Sequence, residues 1–174
     1  MSSTRIRRGV ALTGAALALS LALTGCSMVS SVIGSGGSGG DAKRDDSGQV
    51  EDAQNIDIFN LKVGDCKLSD SEGEVQATDV VACDTPHDEE VYYEFDLDGD
   101  DFPDAAVIED AVRDNCIPEF ETYVGVPWEE SSLDIRWLEP TAQTWKELGD
   151  RVVQCIIIDG AGGSLDASMK NAKI

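Results

Sequence analysis

Positive charge is scarce in this 174-residue chain, where 13 Lys and Arg stand against 34 Asp and Glu, for a formal charge of −21. That balance argues against nucleic acid as a partner and against direct adsorption to anionic headgroups or wall polymers, while it attracts cationic partners. Histidine is nearly missing, with His87 the single copy. One histidine with no evident Ser or Cys nucleophile leaves few ways to assemble a nucleophile and its base, so no catalytic residue is assigned and the chain is expected not to be an enzyme. A long apolar run is absent too. The stretch Val10–Leu23 has 14 residues, whereas a membrane-spanning helix needs roughly 20. No C-x-x-C spacing occurs, which argues against a zinc site built from cysteines and His87. No metal, cofactor or small-molecule substrate is expected.

What is present begins at the N-terminus. Arg5, Arg7 and Arg8, the apolar run and then small residues have the order of an export leader. Leu23-Thr24-Gly25-Cys26 resembles the lipobox of bacterial lipoproteins. The resemblance implies that residues 1–25 are a signal peptide cut after Gly25. It also implies that the Cys26 sulfur takes a diacylglyceryl group, leaving the protein lipid-anchored on the extracytoplasmic side of the cell membrane. Arg7-Arg8 leaves both the Sec and the twin-arginine routes open. Residues 26–55 are rich in Ser, Gly and then charged groups, and read as a flexible linker. Gly36-Gly37-Ser38-Gly39-Gly40 fits the G-x-S-x-G pattern of a hydrolase elbow, but no strand precedes it and no helix follows, so it belongs to that linker.

Residues 56–174 carry the periodic signal of one domain. Cys66, Cys83, Cys116 and Cys155 form an even set in a chain read as exported, so two disulfides are expected. Of three possible pairings, Cys66–Cys83 and Cys116–Cys155 are favoured. The first pair brackets consecutive predicted strands, and the second staples a helix to the last strand. Strands are predicted over 56–68 (with a turn at Gly64-Asp65), 78–83, 90–97, 133–138 and 151–158. In the third of these, alternation puts Val91, Tyr93 and Phe95 on one face and Tyr92, Glu94 and Asp96 on the other. Ile108, Val112 and Cys116 have helical spacing, with Asp104 placed to cap the first turn and Pro118 expected to kink or divide the helix before Gly125 ends it. The fold class is α+β: a small antiparallel sheet of about five strands packed with one broken helix and two disulfides.

Val63-Gly64-Asp65-Cys66, Val80-Val81-Ala82-Cys83 with Pro86-His87 and Glu90-Val91, Cys116 followed by Phe120 and Tyr123-Val124-Gly125, and Gly149-Asp150-Arg151 with Cys155 form an ordered set. Together they resemble the septum formation domain of actinobacterial exported and membrane proteins. Pro140, Trp145 and Gly163-Ser164-Leu165 extend the match over nearly the whole domain. The resemblance implies a link to division or the cell envelope and brings no catalytic residues with it.

His87, in the acidic run 84–90, is a candidate interaction residue near the domain surface, the alternative being a structural hydrogen bond in the turn after Cys83. Asp96-Leu97-Asp98-Gly99-Asp100-Asp101 does not fit an EF-hand frame and reads as a solvated turn. Tyr123, Trp128, Trp137 and Trp145 are either core or a carbohydrate- or peptide-binding face. The function expected is a non-catalytic binding module, anchored to the membrane through lipid and directed at an envelope or division protein. The alternative is a wall-directed hydrolase or transferase using carboxylates such as Glu129-Glu130.

Overall fold

The computed structural model describes residues 42–46, 48–70, 73 and 75–174. The leader, Cys26 and the glycine–serine stretch lie outside them. The elements run β1 (Gln54–Asp57), β2 (Cys66–Lys67), β3 (Ala77–Val81), β4 (Glu89–Asp96), α1 (Ala105–Val124), β5 (Leu133–Leu138), α2 (Ala142–Glu147) and β6 (Val152–Asp159). The strands form one antiparallel sheet in the order β1-β3-β2-β4-β6-β5. Six strands form instead of five because the strand expected over 56–68 is split into β1 and the two-residue β2, which lie on either side of β3.

Apolar alternation in β6 explains the two-sided core. Val153, Cys155 and Ile157 are buried against α1, while Ile156 joins Ile56, Leu61, Val80 and Val91 on the other face. The second face is covered by the chain leading into the sheet. This corrects the linker boundary at residue 55. Val50 is buried, Arg44 bridges to it in strand fashion, and the Arg44 guanidinium pairs with buried Asp65. Composition hid this, because one apolar side chain and one ion pair are enough to fix a polar segment against a finished core.

Helix α1 buries Ile108, Val112, Cys116, Phe120, Tyr123 and Val124, and ends at Gly125, whose φ of 92° suits the left-handed cap and whose N–H donates to Glu121 O at 2.8 Å. The division expected at Pro118 does not occur, and the helix is continuous through it. Pro118 and Asp114, whose carbonyl loses its partner, are both exposed, so water can satisfy that oxygen. Asp104 occupies the N-cap position but makes no side-chain capping bond. Helix α2 has no counterpart in the periodicity; it is started by Thr141 and Thr144, each side chain accepting the other's backbone N–H.

Cys66 bonds to Cys83 and Cys116 to Cys155, with Cα separations of 5.2 and 5.7 Å. The first joins β2 to the turn after β3; the second clamps α1 to β6. Strand β4 departs from simple alternation. Val91 lies opposite Ile156 and Tyr93 opposite Cys155, so Tyr92 is an extra residue in a bulge. It turns toward α1, donates its hydroxyl to Cys116 O at 2.8 Å and meets the Phe120 ring edge-on. Tyr92, Tyr93 and Phe95 therefore share the helix side, and Val91 packs on the opposite face.

Candidate functional site

Two features stand out among the described residues: a buried charged centre around the Cys66–Cys83 disulfide, and an open apolar groove. The centre is assembled where β2 meets β4. Glu90 is fully buried and accepts from the Tyr123 hydroxyl at 2.7 Å, the Ser168 hydroxyl at 2.6 Å and the Met169 N–H at 2.6 Å. Lys67 is also fully buried, with Nζ at 2.6 Å from Glu89, 2.7 Å from Asp70 and 3.1 Å from Leu68 O. Asp65 accepts from Arg44 through both oxygens and from Lys62 N–H at 2.8 Å. Each buried charge thus has several partners, which is the condition under which burial is tolerated. Burial, followed by the charge on Glu90 and its hydrogen bond, pushes the Tyr123 hydroxyl above the ordinary tyrosine range. Burial, with a smaller effect of Glu119, does the same to Tyr92.

His87 lies in this centre and not near the surface, and of its two readings this placement fits the structural hydrogen bond in the turn after Cys83. It is fully buried; its backbone exchanges hydrogen bonds with Leu165 at 3.0 and 2.8 Å, and Nδ1 lies 2.8 Å from Thr85 O. Because a carbonyl only accepts, Nδ1 carries the proton, and Nε2 has no partner among the described residues. The sequence places His87 in a polar acidic run, but the C-terminal segment folds over it through Leu165. A ring nitrogen of His87, the Cys66 sulfur and a Glu90 oxygen lie within 4.8 Å of one another. Since that sulfur is held in the disulfide, this set does not present three free ligands.

The groove opens on the sheet face away from α1. It has a volume of about 720 Å³ and runs between the segment Ile58–Val63 and the ends of β5 and β6. Phe59, Val63, Trp137 and Val152 line it and are exposed, at 53%, 46%, 39% and 39% of their surface. Buried Gln154 forms part of the lining and donates to Leu61 O at 3.3 Å, tying one wall to the floor. The Trp137 indole N–H donates to Glu139 at 2.6 Å, which orients the ring.

The remaining candidates separate. Tyr123 and Trp145 are core residues, and Trp128 packs against that core, whereas Trp137, opposite Cys155 in the sheet, is part-exposed at the groove's edge. Trp145 donates to Asp100 O at 2.9 Å and lies under the Arg151 guanidinium at 3.5 Å. Glu129 and Glu130 are exposed on a short 3₁₀ turn. Among the described residues, the carboxylates of 96–101 do not form a cluster with metal-ligand spacing.

Residues 42–173 match the family described as Septum formation. The chain belongs to the septum formation family. Comparison with curated proteins gave no match, and neither did comparison with solved structures. In this septum formation domain Cys66, Cys83, His87 and Glu90 converge on the buried centre and Cys116–Cys155 clamps α1 to β6, so the most recognisable residues build the scaffold. Sequence reasoning missed the groove, whose walls come from residues far apart in the chain, and the Lys67–Glu89 pair. A lysine between Cys66 and Leu68 in a strand with buried neighbours was the available signal.

Proposed function

We propose that this septum formation protein is an extracytoplasmic lipoprotein, anchored at Cys26, whose domain works without catalysis by binding an envelope or division protein. The observation that carries the reading is the groove, where Phe59, Val63 and Val152 are exposed in one lining, whereas the other exposed large apolar side chains, Leu68, Phe102, Val107, Leu148 and Ile174, lie outside it. The buried centre, by contrast, spends its charged groups on one another and on the backbone. Family membership supports a division-related role, and the basic, apolar and lipobox-like order of 1–26 supports the anchor. Lipidation confines the domain to a thin shell beside the membrane, which raises its effective concentration for a partner held there.

A photo-crosslinking residue placed at Phe59 in living cells tests this, with the same residue at exposed Glu121 as control. The expected result is one identified division or envelope protein, crosslinked from position 59, not from 121, and lost in Cys26→Ala. Crosslinking that is equal at both positions, or a wall-degrading activity that disappears when Glu129 or Glu130 is changed to Gln, overturns the reading.

A further inference from the structure

The groove's rim is charged in a way that specifies the occupant. Glu94, Glu139 and Asp150 line it, and Lys62 is the cation among its lining residues. Glu94 is exposed, stands on β4 opposite Gln154, and has no ion-pair or hydrogen-bond partner among the described residues. Glu94 shares the groove lining with Val152 and Gln154. The Trp137 ring is held by Glu139, and Asp150 accepts from the Thr144 hydroxyl at 3.1 Å, so two of the acids are fixed in place before anything binds. The long-range field has the same sign, with a chain charge of −21.

We propose that the groove takes a segment of a partner polypeptide in which one or two large apolar side chains are flanked by Lys or Arg. This rests on the binding role above and adds the chemistry of the partner. The apolar side chains cover Phe59, Val63 and Val152, and the flanking cations meet Glu94 and its neighbours. An acidic or uncharged amphipathic segment of the same shape is repelled or unassisted, so the rim charge supplies discrimination and a faster encounter more than raw affinity.

The test uses the full chain in detergent with three short synthetic peptides: Trp-Leu flanked by lysines, Trp-Leu flanked by glutamates, and Ser-Ser flanked by lysines. Titration calorimetry at low and high salt reads binding, and thermal denaturation checks folding. The expected result is that only the lysine-flanked Trp-Leu peptide binds and that salt weakens it. Glu94→Lys is expected to weaken it by about tenfold while improving the glutamate-flanked peptide. Val152→Asp is expected to abolish binding without lowering the melting temperature. Equal binding of the two Trp-Leu peptides, or no effect of either substitution, overturns the proposal. A dimer in sedimentation that Val152→Asp dissociates also overturns it, by assigning the groove to a second copy. If position 59 still crosslinks a division or envelope protein in cells while no peptide discriminates charge, the binding role stands and the proposed partner chemistry falls. If both fail, the binding role falls with it.

Discussion

The Tyr123 hydroxyl donates to the Glu90 carboxylate at 2.7 Å, joining the last turn of α1 to the start of β4. The same carboxylate holds Ser168 and the Met169 N–H, so one acid fastens helix, sheet and C-terminal segment together. Glu90→Gln turns an all-accepting group into one that must present an NH₂ to these donors. The expected loss is about 1 to 3 kcal/mol in chemical denaturation with the disulfides oxidised. A double-mutant cycle with Tyr123→Phe should show coupling, and strict additivity would argue that the contact is incidental.

Lys67 offers a separate test of buried charge. Removing it as Lys67→Ala leaves Glu89, at 6% exposure, with the solvent-exposed Arg136 at 3.3 Å as its one remaining cation among the described residues. A loss of about 3 to 5 kcal/mol is expected, while Lys67→Met combined with Glu89→Leu should recover most of it. Urea denaturation of the two variants side by side decides this.

The two buried tyrosines set the alkaline limit. Their hydroxyls are raised above the ordinary value in the folded protein, so the folded state keeps protons that the unfolded chain releases. The stability this contributes is fully present below about pH 10, the ordinary tyrosine pKa, and is lost as pH rises through and above it. Melting temperature should therefore fall steeply beyond that pH. In Tyr92→Phe the neutral-pH value should be lower, because the bond to Cys116 O is gone, but the alkaline fall should be shallower.

Removing each disulfide should rank by loop length. The separations are 39 residues for Cys116–Cys155 and 17 for Cys66–Cys83. Restriction of the unfolded chain gives about 4 and about 3 kcal/mol respectively, so the double Ala variant of the first pair should unfold at lower denaturant. The reverse order would show that the charged centre around Cys66 depends on its bond more than chain entropy accounts for.

Legibility in the sequence followed the range of the interaction. Leu133–Leu138, the apolar run of β6, the Ile108–Val112–Cys116 spacing and the Gly125 stop are local patterns, and each marks an element of the structure. The Tyr92 bulge was hidden, because an extra residue changes the side-chain face without changing composition. Helix α2 was hidden because it is short and takes its start from a threonine pair rather than from an apolar stripe. Of the groove, Trp137 at its edge was among the aromatic candidates, but Phe59 and Val152, far apart in the chain, meet in one lining only in the folded protein. Charge in the core was unreadable for the same reason. Lys67, Glu89 and Arg44 look solvated until the partners that neutralise them are known.

The cysteine pairing has a consequence for how the chain matures. Among the domain's four cysteines the first bonds to the second and the third to the fourth, so Cys66–Cys83 can close before Cys116 and Cys155 have appeared. If the chain is threaded N-terminus first into an oxidising space, as export by the Sec route implies, each link can close in order of arrival, and pairing each of these four thiols with its neighbour in sequence gives the native bonds. Refolding of the reduced domain with a thiol oxidant alone is therefore expected to reach the native pairing without an isomerase.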